Sequence, residues 1–215
     1  MANIELTVKG YTPQYMCSEC GNCKSVFGKS FCSEKSRGCC WYFPKFTLYE
    51  IHRMSHSKEG IDLLDKIIKL PKTIIYNYYI HALGYFDEEG YKNYLESQDS
   101  NMYNVKDKTI FFRKCPFVKE GVGCTIPVQY RSYICNLFIC EEVTSKFNEF
   151  TEYEKYIKER ESFVRYIDWE NNSLQALLEE KHLNLIHNFG QVIQILKEMP
   201  LENYEFPELE PLEVV

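Results

Sequence analysis

From residue 3 the chain alternates apolar Ile4, Leu6 and Val8 with polar neighbours up to Gly10, a pattern that predicts a short strand. Residues 11–46 carry no helical periodicity and read as loop. Thr47 followed by Glu50 has the form of a capping box, and Leu48, Ile51 and Met54 recur behind it at helical spacing. Gly60 separates this helix from a second one carrying Ile61, Leu64, Ile67, Ile68 and Leu70, which Pro71 stops. Residues Thr73–Leu83 are rich in β-branched and aromatic side chains and suit a strand or a buried helix equally. A helix is predicted from Asp87 to Gln98 and a short strand over Thr109–Phe112, followed by a turn at Gly121 and Gly123. Pro127 predicts the start of a helix running through Tyr130, Ile134 and Leu137. Val143 to Met199 is helical in pattern almost throughout, with breaks near Asn171-Asn172 and Gly190. The tail from Pro200, with three prolines and five glutamates, reads as an extended strap or a frayed end. No internal repeat or low-complexity linker interrupts the pattern. The expected fold class is mainly α with minor β.

Length and charge narrow the functional classes. A chain of 215 residues with 45% hydrophobic and 26% charged positions can bury a core of its own, so one globular unit is expected. No apolar run approaches the ~20 residues of a membrane span. The start Met1-Ala2-Asn3-Ile4-Glu5 lacks the basic and apolar regions of a secretory signal, which points to the cytoplasm and no membrane partner. The net charge of −6 is uneven: residues 141–215 carry seven Lys/Arg against seventeen Asp/Glu, whereas residues 1–140 are slightly basic. No concentrated basic surface emerges, so nucleic acid is not an expected partner.

The cysteines change the picture most. Six lie at Cys17, Cys20, Cys23, Cys32, Cys39 and Cys40, and four at Cys115, Cys124, Cys135 and Cys140. Two dense packets with short internal spacings suit ligand sets better than core filling, and in a reducing compartment they point to metal or catalysis rather than disulfides. The first packet opens C-S-E-C-G-N-C, a spacing by which one tight loop aims three sulfurs at a common centre. The expected architecture is therefore a helical domain with two cysteine-rich loops around a metal centre. Residues 1–140 form the cysteine-cluster metal-binding region, and residues 141–215 form an acidic helical region packed on it.

Cys115-Pro116-Phe117, Gly123-Cys124-Thr125-Ile126 and Arg131-Ser132-Tyr133-Ile134-Cys135, with the CxxCxxC run upstream, resemble the CxxCxxCC (YkgJ-type) cysteine-cluster family, described as a zinc- or iron-chelating domain. The resemblance covers roughly residues 15–140. It departs from the family pattern in three places. A Cys-Cys pair stands at Cys39-Cys40 rather than at Cys23, Ser132 replaces the proline after Arg131, and Pro127 replaces a tyrosine. The resemblance implies a cysteine-ligated metal. A more distant similarity to the cysteine-cluster domain of flagellin lysine N-methylases implies a role in modifying a peptide or protein partner.

Three thiols at i, i+3 and i+6, with a distant cysteine followed by proline at Cys115-Pro116, favour an iron–sulfur cluster of the [4Fe–4S] type. Zinc is the alternative cofactor, although all-thiolate zinc sites more often use two CxxC knuckles and no second CxxC is present. All ten cysteines are candidate ligands. Cys135 and Cys140, about 140° apart around one helix, cannot both face one centre, and Cys135 is preferred because Arg131 lies one turn before it. Arg131 is the candidate donor to the sulfurs, or else an ion-pair partner of the acidic helices. Gly28-Lys29-Ser30 lacks the spacing of a phosphate loop, and His52/His56 lack a zincin glutamate and fit an exposed basic helix face. The aromatics around Tyr76–Phe86 read as core, and Trp41, Tyr42 and Phe43 read as a shield for the metal.

Overall fold

The computed structural model describes residues 3–213 except for 19, 21–24, 34, 36, 98–101, 121 and 148. In chain order the elements are β1 (Asn3–Lys9), β2 (Thr12–Cys17), β3 (Lys45–Thr47), α1 (Leu48–Ser55), α2 (Lys58–Ile68), β4 (Thr73–Ile75), β5 (Tyr79–Ala82), β6 (Tyr85–Phe86) and α3 (Glu88–Glu96). There follow β7 (Arg113–Lys114), β8 (Val118–Lys119), β9 (Gly123–Cys124), α4 (Tyr133–Asn136), α5 (Glu141–Thr144), α6 (Thr151–Glu180), α7 (Phe189–Glu198) and β10 (Leu212–Glu213). Short 3-10 turns occupy Val26–Gly28, Lys108–Phe112 and Val128–Tyr130.

The expected mainly α class is overturned. Helix accounts for 45% and strand for 17% of a mixed fold with several small sheets. One sheet has the order β10-β1-β2 and another β3-β5-β4, with two-stranded ladders β6-β7 and β8-β9 beside them. The expectation of two cysteine-rich loops around a metal centre fails with it: no ready-made coordinating group is formed by the described residues. Among the described residues no helix is long and apolar enough to cross a membrane.

Helix α1 is the hub. The Glu50 carboxylate accepts the backbone N–H of Thr47 at 2.8 Å and the Thr47 hydroxyl, which closes the start of the helix as its sequence predicts. Leu48, Ile51 and Met54 are buried, and α1 packs on α2, α6, α7 and β3. The sheet β3-β5-β4 completes the largest core with Phe46, Ile80 and Ala82, and α7 closes it with Val192 and Leu196. A second core joins Ile4 and Tyr15 of the N-terminal hairpin to Phe147, Tyr156, Phe163 and Ile167. The tail is the strap expected: β10 pairs antiparallel with β1, and the Tyr156 hydroxyl donates to the Glu210 carbonyl at 2.8 Å. A third, aromatic core gathers Phe111 and Phe112 with Phe31, Tyr91, Tyr94 and Tyr103.

Glycine has opposite roles at two positions. A Cβ at Gly84 would stand 2.0 Å from the Lys114 carbonyl oxygen and 2.7 Å from Phe43 Cε1, because residues 43, 84 and 114–116 meet there without room for a side chain. A Cβ at Gly190, inside α7, would meet nothing within 4 Å. Gly84→Ala is expected to lower unfolding stability by about 2 kcal/mol or more through forced backbone displacement. Gly190→Ala is expected to raise it by about 0.5–1 kcal/mol through helix propensity. Urea midpoints that move together in one direction would contradict both assignments.

Candidate metal centre

Four thiols converge from separate stretches of chain. Cys40 follows a turn whose Cys40 N–H bonds to the Arg37 carbonyl at 3.2 Å, and the Cys40 carbonyl accepts the Cys115 N–H at 2.9 Å. Cys115 starts a tight turn, closed by the Val118 N–H to the Cys115 carbonyl at 3.3 Å, that feeds β8. The ladder of β8 with β9 sets Cys124 opposite Val118, and the Phe117 carbonyl accepts both the Thr125 N–H at 2.8 Å and its hydroxyl at 3.0 Å. Cys135 comes from α4.

Helix α4 is not the one predicted. The turn Val128–Tyr130 stops at Arg131 and Ser132, both with extended backbone (ψ 148° and 136°), and the chain restarts as a helix at Tyr133. Side chains hold the break: Arg131 Nε donates to the Ile126 carbonyl at 2.8 Å, and Asn136 Nδ2 donates to the Val128 carbonyl at 2.9 Å. The buried Glu50 carboxylate accepts the Tyr133 N–H at 3.2 Å, supplying negative charge to the new helix start. Arg131 and Cys135 therefore do not share one helix face. Arg131 nevertheless reaches the thiols from the preceding turn, where its charge favours ionisation of Cys40 and Cys135.

Within the quartet every thiol is an electrostatic neighbour of every other. Burial pushes Cys115 up to about 12, with Cys40 and Cys124 adding to the rise. Backbone N–H groups of Phe117 and Val118 at its sulfur pull the other way. Burial also raises Cys40, with Cys124 contributing. Cys135 has solvent access, yet dense packing around its sulfur raises it as well, so it stands at the mouth of the cluster. Thiols held protonated in this way ionise when a cation replaces their protons.

Of the other candidate ligands, Cys17, Cys32 and Cys140 stand in different surroundings. Cys17 ends β2 opposite Ile4, and it packs with Cys140, the residue preceding α5, against the second core. Cys32 is 1% exposed, and its thiol donates to the Phe111 carbonyl at 3.6 Å. Cys20 is exposed and Cys39 half-buried. Cys23, and with it the full CxxCxxC run, lies outside the described residues. Cys17, Cys32, Cys40, Cys115, Cys124, Cys135 and Cys140 form no disulfide. The sequence reading put Cys17, Cys20 and Cys23 first; the structure instead brings Cys40 to the second packet. It also brings a residue that reading passed over, Arg37, whose signal was a lone arginine between Cys32 and Cys39. Trp41 turns away to the aromatic core and the Phe138 ring.

Among the described residues no three His, Cys, Asp or Glu side chains stand in coordinating geometry. The donor set itself fits a thiophilic group: four sulfurs, backbone N–H donors at one of them and two arginines within electrostatic reach. Beside the thiols a groove of about 660 Å³ runs between α2 and the residues that follow Cys115 and Cys124, with Lys58, Asp62 and Lys66 on one wall and Pro116, Phe117 and Thr125 on the other. No family model, no curated protein and no solved structure matches the chain.

Proposed function

We propose that this chain is a thiolate-bound metal protein in which Cys40, Cys115, Cys124 and Cys135 hold an iron–sulfur cluster, as the resemblance to the cysteine-cluster family implies. The observation that carries the reading is the mutual proximity of these four thiols, drawn from positions up to 95 residues apart in the chain. None of the four belongs to a CxxC knuckle, the unit that all-thiolate zinc sites favour, and Cys115 is followed by proline as in cluster-binding runs. A bound cluster supplies one-electron chemistry. The chain's own residues orient the sulfurs, exclude water from Cys115 and offset negative charge through Arg131. The adjoining groove has a size within the range of small-molecule sites and mixed charge, which supports a peptide or protein side chain as the group presented to the centre.

Protein purified without oxygen is expected to be brown, to contain iron and acid-labile sulfide, and to lose visible absorption with dithionite. Colourless protein with one bound zinc would replace the cluster by a zinc module. Protein that takes up neither metal on anaerobic reconstitution would overturn the reading.

A further inference from the structure

Arg37 is 2% exposed, which is an unusual place for a permanent cation. Its Nη1 donates to the Gly38 carbonyl at 2.5 Å, and its Nη2 donates to the carbonyls of Lys29 at 2.8 Å and Ile110 at 2.6 Å. Its buried Nε has no hydrogen-bond partner among the described residues. Among the described residues no carboxylate forms an ion pair with Arg37. The ionisable groups its charge acts on are thiols: Cys32 first, then Cys40 and Cys39, of which Cys40 belongs to the quartet.

Backbone carbonyls satisfy N–H groups, but they do not neutralise a buried charge, and an uncompensated one is costly. Protonated thiols carry no charge to set against it. A tetrathiolate centre does, because four Cys thiolates around a zinc ion or around an oxidised [4Fe–4S] core leave a net charge near −2. Arg37 and Arg131 both act on Cys40, so the two guanidiniums match that charge.

We propose that Arg37 is the buried counter-cation of the thiolate centre, acting from the turn in which its carbonyl accepts the Cys40 N–H at 3.2 Å. This deepens, and rests on, the reading of the quartet as a metal site. Through the same side chain the charge of the centre is coupled to the order of the fold. Arg37 clips Lys29 and Gly38 to Ile110 at the edge of the aromatic core, so filling the centre secures these contacts. Arg37 is a positioning residue, acting on the centre through charge and hydrogen bonding.

The test compares full-length, metal-loaded wild type with Arg37→Gln and Arg37→Lys. Metal release to excess chelator should be about tenfold faster in Arg37→Gln and largely restored in Arg37→Lys, in the range by which hydrogen-bond partners of ligands tune metal sites. The reduction potential, measured with the electron supplied by dithionite, should fall in Arg37→Gln and return towards wild type in Arg37→Lys. Chemical unfolding of the metal-free proteins separates a structural role: Arg37→Gln should lose far less stability without metal than with it. Equal losses with and without metal, or unchanged release and potential, would overturn the proposal while leaving a metal-loaded wild type and its reading intact. A wild type that binds no metal would overturn both. Should Arg37→Gln fail to fold, Arg37→Lys alone decides, since a retained charge must then preserve release rate and potential.

Discussion

Serine in place of Cys115 is expected to abolish stable metal retention, whereas serine at Cys17, Cys32 or Cys140 leaves it in place. Cys115 is 8% exposed, is the electrostatic neighbour of Cys40, Cys124 and Cys135, and has backbone N–H groups of Phe117 and Val118 at its sulfur. A serine hydroxyl ionises far less readily than a thiol and is a harder donor, so on the proposed reading the chain would lose a ligand. The structural effect should be large because little else orders the stretch from Arg113 to Asn136. Its strands β7, β8 and β9 are two residues long and its one helix has four. Metal binding free energy in such a segment is folding free energy, about 10 kcal/mol or more in small structural sites and less where packing already helps. Stripped wild type, and Cys115→Ser taken through the same metal treatment, should be cut by trypsin at Lys114, Lys119 and Arg131, while the 30-residue helix α6 survives. A digestion pattern indifferent to metal would show that packing alone holds the segment, and equal metal loss in Cys17→Ser would place the ligands elsewhere.

The elements legible in the sequence are those with local signals. The capping box at Thr47 and Glu50, the stop before Pro71 and the Asp87 cap of α3, whose carboxylate accepts the Gly90 N–H at 2.9 Å, are each written in a few adjacent residues. Where partners are distant, the sequence misleads. Residues 11–46 contain β2, which exists because six of its residues pair with β1, and Thr12-Pro13-Gln14 alone carries no such message. Thr73–Leu83 resolves into two strands because β5 is the middle strand between β3 and β4. Phe111 and Phe112 look like a strand by composition but form a 3-10 turn, because both rings enter the aromatic core. Asn171-Asn172 does not break α6: Asn171 Oδ1 accepts the Tyr49 N–H at 2.9 Å, so the polar side chain is used to dock α1.

The candidate site could be read from the sequence only in part. Clustering of cysteines directs attention to the thiols, and Cys115, Cys124 and Cys135 of the second packet are electrostatic neighbours of one another and of Cys40. Spacing gave prominence to CxxCxxC, yet Cys40 meets Cys115 through a long-range backbone hydrogen bond and the packing of residues 43 and 114–116. Arg37 is silent in sequence because a buried arginine is recognised only by what surrounds it. His52 is a further instance, expected on an exposed helix face and found 2% exposed.

His52 carries a marked pH dependence of stability. Its Nε2 donates to the Met199 carbonyl at 3.4 Å, and its buried Nδ1 has no partner among the described residues. The His56 ring is 4.9 Å away, and Arg53 adds a second positive neighbour. A second proton would therefore sit on a buried nitrogen with no acceptor, facing like charge. Burial first, and then these neighbours, hold the group at about 4, against an ordinary 6.5. Because the folded value lies below the unfolded one, the unfolded chain binds more protons between the two. Stability is complete above pH 6.5 and falls as the pH drops towards 4. Linkage then gives a loss of about 2 kcal/mol between pH 7.5 and pH 5 from this residue. Glu50 works in the opposite sense over part of that window: burial raises its carboxyl, so its contribution weakens as the pH climbs above the ordinary carboxylate range. Comparison with His52→Gln cancels that term and any loss of metal, since both proteins share them. Glutamine keeps an N–H for Met199 and cannot be charged. Urea unfolding should show wild type losing about 2 kcal/mol more than His52→Gln between pH 7.5 and pH 5. If the two proteins lose stability in parallel, His52 is not held neutral by its burial and the packing of α1 against α7 tolerates its charge.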